Sequence, residues 1–172
     1  MIIVDHNDLQ KYATVLKDVN APIAERTDSL FCLRSFPGVD AIDVMIEAFH
    51  IEQFSDLLRH EICYCLGQMN NSPEHAAKIQ DFLALVVEGN YPAIVTHEAV
   101  EALGNMNSEN TERLIEKYRN EHSEIADMVN ETCEVAKALV KWNKETNMGE
   151  DEGIDMTRRK FTTSDPAPPF NY

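Results

Sequence analysis

Residues 60–69, HEICYCLGQM, and residues 97–106, HEAVEALGNM, are two versions of one decapeptide. Both open on His-Glu and close on Leu-Gly-x-Met, in the same register 37 residues apart. A single His-Glu dipeptide carries little information. Two in register, inside segments of helical apolar periodicity, mark one supersecondary unit that was copied with its polar pair intact. Aligned on the leucine before the glycine, Leu66 and Leu103 extend to Leu33 in SLFCLRSF and to Ala136 in NETCEVAKAL, at spacings of 33, 37 and 33 residues. Periods of this length belong to solenoids of helical hairpins, in which neighbouring repeats bury each other's apolar faces.

Working outward, the chain lacks sustained period-two alternation and lacks Asn-Gly or Asp-Gly hairpin turns, so strands are not expected. The pattern predicts an all-α fold, an α-solenoid of about four hairpins and eight helices. The hairpins pair 7–18 with 22–36, 39–50 with 56–69, 73–87 with 92–106, and 109–120 with 124–142. Pro22, Pro73 and Pro92 fall where a first helical turn tolerates a missing N–H, and Gly38 and Gly89 fall just past helix ends. From Asn143 the composition changes to an acidic run (GEDEGID), a basic run (TRRK) and the proline-rich SDPAPPF. The expected organisation is therefore a repeat domain over 1–142 and a polar, proline-containing tail or linker over 143–172.

With 15 basic against 30 acidic residues the formal charge is −15 and the isoelectric point is near 4.7. An acidic surface repels phosphate backbones, so nucleic acid is not an expected partner, whereas a cationic substrate or basic protein is favoured. The N-terminal MIIVDHNDLQ has neither the basic segment nor the apolar run of a secretory leader, and the longest apolar run, Phe82 to Val87, is too short to span a bilayer. Cys32, Cys63, Cys65 and Cys133 lie in apolar helical stretches without a Cys-x-x-Cys pair, as reduced packing thiols of a cytoplasmic protein do.

The chemistry-bearing position is occupied by Thr27, His60, His97 and Asn130 in the four repeats, followed by Asp28, Glu61, Glu98 and Glu131. Histidine is thus confined to the two central repeats, as a site flanked by capping repeats requires. Second helices of stacked hairpins run side by side about 8–10 Å apart, so His60 and His97 can converge on one metal ion. Successive residues on a helix point about 100° apart. His and the following Glu are therefore expected to address two points: two metals, or one metal and a substrate. Imidazole and carboxylate donors without thiolate suit iron or manganese better than structural zinc. Spacing alone also admits a structural role, in which each histidine caps or bonds a neighbouring hairpin beside a solvated first-turn acid. His6, His50, His75 and His122 have no repeated partner and are expected at the surface; Gly67 and Gly104 are expected to permit close helix–helix approach.

HEICYCLGQM and HEAVEALGNM, preceded by SLFCLRSF and followed by ETCEVA and SDPAPP, resemble the deoxyhypusine hydroxylase family over nearly the whole chain. The resemblance implies a HEAT-like repeat fold and a non-haem monooxygenase with two Fe(2+) ions per complete site. It implies that His60, Glu61, His97 and Glu98 hold metal, with Glu61 and Glu98 also serving catalysis by balancing charge or orienting the substrate amine. The implied substrate is the deoxyhypusine side chain of a eukaryotic translation factor, hydroxylated to hypusine. In that family the four-repeat unit with two His-Glu pairs occurs twice, joined by a linker, and this sequence resembles the N-terminal unit with its linker. The resemblance therefore implies a second half, supplied by a homodimer or by a partner chain. The rival expectation is a non-catalytic repeat scaffold for protein interaction.

Overall fold

The structure, a computed structural model, describes residues 6–70, 72–106, 109–121 and 126–147. Among these residues every regular element is an α-helix: α1 (His6–Lys17), α2 (Ile23–Arg34), α3 (Val39–Ile51), α4 (Asp56–Gly67), α5 (Pro73–Glu88), α6 (Ala93–Gly104), α7 (Glu109–Glu121) and α8 (Ala126–Asn147). Each odd helix packs on the even helix that follows it. Odd helices α1, α3, α5 and α7 stack in one layer, and even helices α2, α4, α6 and α8 stack in the other. This is the expected four-hairpin solenoid. No helix among the described residues is long and apolar enough to cross a membrane.

Helix ends follow local chemistry. The hydroxyl of Ser55 accepts the Leu58 N–H at the start of α4, and that of Ser72 accepts the His75 N–H at the start of α5, each satisfying an amide that lacks an intrahelical partner. Pro73 occupies the first turn of α5 and Gly89 caps its end. Gly38 lies past the end of α2, as expected, but does not cap it: it is the extended N-cap of α3 (φ −98°, ψ 158°). Pro37 explains the difference, because proline disfavours helical backbone at Phe36 and stops α2 at Arg34. The final helix also runs past the expected boundary at Trp142 to Asn147, since Lys141–Asn147 contains neither proline nor glycine. Of the expected tail, residues 148–172 lie outside the described residues.

The repeat alignment marks the core. Leu33, Leu66, Leu103 and Ala136 are all fully buried, one per repeat. Beside them the glycines set the spacing of the inner layer. A Cβ on Gly67 would lie 2.8 Å from Cβ of Ala102, and one on Gly104 would lie 3.1 Å from the carbonyl oxygen of Ala136. Only a missing side chain lets α4 meet α6, and α6 meet α8, at this distance.

A second repeated device joins the layers. Arg26 Nε donates to the Leu16 carbonyl at 3.0 Å, and Arg59 Nε donates to the Phe49 carbonyl at 3.4 Å. Arg26 and Arg59 occupy the same repeat position, and each guanidinium satisfies a carbonyl in the last turn of the preceding helix, where a cation is favoured. Arg26 also pairs with Glu52 at 2.6 Å, both side chains being almost fully buried. Glu52 in turn accepts the Phe54 and Ser55 amides, so one buried pair braces α1, α2, α3 and the entry to α4.

Candidate metal centre

The inner layer brings the repeated polar pairs together. His60 and His97 lie at matching depth on α4 and α6, with ring centroids 5.3 Å apart and planes tilted by 50°. His60 Nε2 stands 3.1 Å from Glu98 Oε2. One donor atom from each of His60, His97 and Glu98 falls within 4.8 Å of the other two. His60 and His97 keep 21% and 23% of their side-chain surface exposed and Glu98 keeps 8%, so the group is open on the imidazole side and closed behind the carboxylate.

Of the four residues singled out by sequence, the structure converges three. Glu61 stands outside the group, with Oε1 3.4 Å from Nδ1 of its own neighbour His60. The expectation that adjacent His and Glu address separate points therefore describes α4 and fails on α6. There the Glu98 side chain reaches across to α4, and its length offsets the 100° between successive helical positions. Sequence reasoning passed over Glu101. Its carboxylate lies 3.7 Å from His97 Nδ1, one turn further along α6, with 18% of its side chain exposed. The available signal was the i,i+4 spacing from His97; the repeat comparison hid it, because the matching position in α4 is Tyr64.

Of the unrepeated histidines, His50 is exposed and lies edge-on to Phe49 and Phe82. His75, in the first turn of α5 with its amide capped by Ser72, is half-buried rather than a surface residue. The side chain of His6 and all of His122 lie outside the described residues.

The electrostatics favour a cation. The hydrogen bond to the Glu98 carboxylate raises the His60 pKa above its ordinary value; burial acts against this, and Glu61 adds to it. The site thus favours positive charge, and a metal bound through His60 would have to compete with the proton on that ring. The thiols are not competing ligands. Burial drives Cys63 well above the usual thiol range and Cys65 to about 12, so both are neutral packing groups, and no described cysteine forms a disulfide. Two imidazoles and one carboxylate, without thiolate, form the donor set of mononuclear non-haem iron sites, which leave coordination positions open. His60, His97 and Glu98 are of the residue types such a site needs, and they lie close enough together to hold a metal ion.

No protein-family model matches the chain. Curated relatives do. The deoxyhypusine hydroxylase of Phaeosphaeria nodorum is 31% identical over 164 residues, covering 91% of this chain and 47% of its own length. That of Danio rerio is 32% identical over 168 residues (97% and 51%), and that of Kluyveromyces lactis is 32% identical over 179 residues (98% and 52%). Among solved structures, human deoxyhypusine hydroxylase in complex with glycerol superposes with a TM-score of 0.75 at 29% identity, covering 96% of this chain and 52% of that one. By sequence and by fold this chain is a relative of the deoxyhypusine hydroxylases, spanning about half the length of those it matches.

Proposed function

We propose that this chain forms one half of a deoxyhypusine hydroxylase-type, iron-dependent monooxygenase, and that a second half completes it. The observation that carries the reading is the convergence of His60, His97 and Glu98 from two neighbouring repeats. Bound ferrous iron would supply dioxygen activation for hydroxylating an unactivated side-chain carbon. The protein's part is to bind and orient. His60, His97 and Glu98 would hold the ion through three donors, a set that does not saturate a metal and would leave it open to react.

The deoxyhypusine side chain is cationic and polyamine-derived, and Glu61, held beside the cluster but not in it, is placed to accept its ammonium. A net charge of −15 favours the approach of such an arm. One ion per chain makes two ions in a complete site, so the second half supplies the second ion, from another copy of this chain or from a partner chain. The substrate is then the deoxyhypusine-bearing precursor of the translation factor, met in the cytoplasm.

The test is anaerobic loading with Fe(II), then incubation with a deoxyhypusine-containing translation factor and oxygen. Wild-type protein should bind iron and form hypusine, alone or with a chain carrying the missing half. His60→Ala and His97→Ala should each lose iron and at least a hundredfold of the activity. Wild-type protein that binds no iron, or histidine variants that keep full activity, would overturn the reading; the former result would favour the scaffold alternative.

A further inference from the structure

The two histidines meet the same requirement with carboxylates from different sequence positions, and this gives Glu101 a role. A histidine that ligates metal through one ring nitrogen needs the other held, because the partner of that second nitrogen fixes the tautomer and the ring direction. On α4 the carboxylate nearest His60 Nδ1 is Glu61, the next residue, at 3.4 Å. On α6 the residue at that position, Glu98, is turned away: its carboxylate lies 3.1 Å from His60 Nε2 and belongs to the ligand group. Glu98 therefore cannot also stand behind His97. The nearest carboxylate is instead that of Glu101, one turn further on, 3.7 Å from His97 Nδ1, at ion-pair distance and just beyond a direct hydrogen bond.

None of the three corresponding positions elsewhere in the stack presents this arrangement. Phe31 matches Glu101 on α2, where Thr27 stands at the site position; Tyr64 matches it on α4, where Glu61 lies nearest the ring; and Glu134 matches it on α8, where no histidine stands at the site position and the side chain is exposed. Glu101 by contrast is largely covered, and its carboxylate faces the ring of a site residue. An ordinary exposed i,i+4 pair contributes a few tenths of a kcal/mol to helix stability. A carboxylate behind a ligating imidazole contributes instead to metal affinity, typically about 10–100-fold.

We infer that Glu101 is a positioning residue for the metal centre: its carboxylate, facing His97 Nδ1, favours the tautomer with the proton on that nitrogen and so directs the Nε2 lone pair into the cluster with His60 and Glu98. The inference rests on the metal-binding reading above, yet it makes a claim about the metal-free protein. The tautomer of His97 can be read before any ion is added, by long-range 15N–1H NMR of the full chain with the His97→Gln variant for assignment. Wild type should show His97 protonated at Nδ1. Glu101→Ala should lose that preference, and Glu101→Gln, which retains a carbonyl acceptor, should restore it.

The same proteins are then titrated anaerobically with Fe(II) against a chelator. Glu101→Ala should bind about 10–100-fold more weakly at unchanged helicity and melting temperature, Glu101→Gln should fall between it and wild type, and Glu134→Gln should match wild type. His97 protonated at Nε2 in the wild type, or a Glu101→Ala variant with wild-type tautomer and affinity, overturns the inference while leaving the metal site intact. Wild-type protein with the expected tautomer but no iron affinity instead overturns the proposed function, and with it any role of Glu101 at a metal.

Discussion

Glu52 shows how a single buried charge can tie the scaffold to solution pH. Burial would raise its pKa, but the Phe54 and Ser55 amides and the Arg26 guanidinium together hold it below the ordinary carboxylate value. A carboxyl depressed on folding adds stability that is fully present above its unfolded pKa, about 4.3, and is lost as pH falls through the lower folded value. Protonation would leave Arg26 as an unpaired buried cation. Removing one partner of such a pair costs about 3–5 kcal/mol, so Glu52→Gln should be less stable than wild type by roughly that amount at pH 7. The gap should narrow below pH 4, as wild-type Glu52 itself becomes neutral. Urea unfolding of both proteins between pH 3 and 7 measures it, and a pH-independent gap would contradict the assignment. Nothing in the sequence announced this pair. Arg26 and Arg59 share a repeat position, but their common partners, Leu16 and Phe49, are engaged through backbone carbonyls that carry no residue signature. His60 and His97 were legible because repetition singled them out. The division of labour between Glu98 and Glu61 was not, because it depends on side-chain reach across a helix interface rather than on spacing.

At the scale of elements, the site exists because α4 and α6 approach closely, and Gly67 is what permits it. Helix order and most ends could be read from apolar period, proline and glycine; the exceptions arose where Pro37 stopped α2 two residues before the expected end at 36, and where the absence of proline and glycine after 142 let α8 continue. The fully buried series Leu33, Leu66, Leu103 and Ala136 is the same periodicity seen in three dimensions. Gly67→Ala adds a methyl group 2.8 Å from Ala102 Cβ and 3.1 Å from its Cα, so backbone must yield. Overpacking of this kind costs about 1–3 kcal/mol, while replacing a helical glycine by alanine returns about 1 kcal/mol. The net expectation is a protein up to about 2 kcal/mol less stable. Because the helices separate where the histidines must converge, iron affinity should also fall at least tenfold. Calorimetry and iron titration of Gly67→Ala test this together; unchanged affinity would mean that the His60–His97 spacing does not depend on helix approach at Gly67. The outer layer matters less to this geometry. Lys17–Glu47, Asp43–Lys78 and Glu88–Lys117 link successive outer helices in turn, but these are surface pairs worth at most about 1 kcal/mol each.

For the whole molecule, the proposed chemistry poses a problem of number. His60, His97 and Glu98 suffice for one ion, and the chain spans about half the length of the hydroxylases it resembles. A two-ion centre can be restored if two copies present their open imidazole faces to each other about a two-fold axis, the arrangement in which one surface patch complements itself. Apolar surface is present beside that face. Leu57 and Ile94, one turn before His60 and His97 on the same helices, are 55% and 44% exposed. Opposing this, each copy carries a charge of −15, so bare association brings like charges together. Two cations between the facing clusters would offset that repulsion locally, which couples assembly to metal. The expected outcome is that the metal-free chain is monomeric at low salt and that Fe(II) shifts it towards a dimer holding two ions. Raised ionic strength should favour the dimer further by screening the remaining acidic surface. Sedimentation velocity with iron analysis on the same fractions measures both quantities. A monomer that retains one tightly bound iron at every salt concentration would show that the second half must come from a different chain, and the homodimer would be excluded.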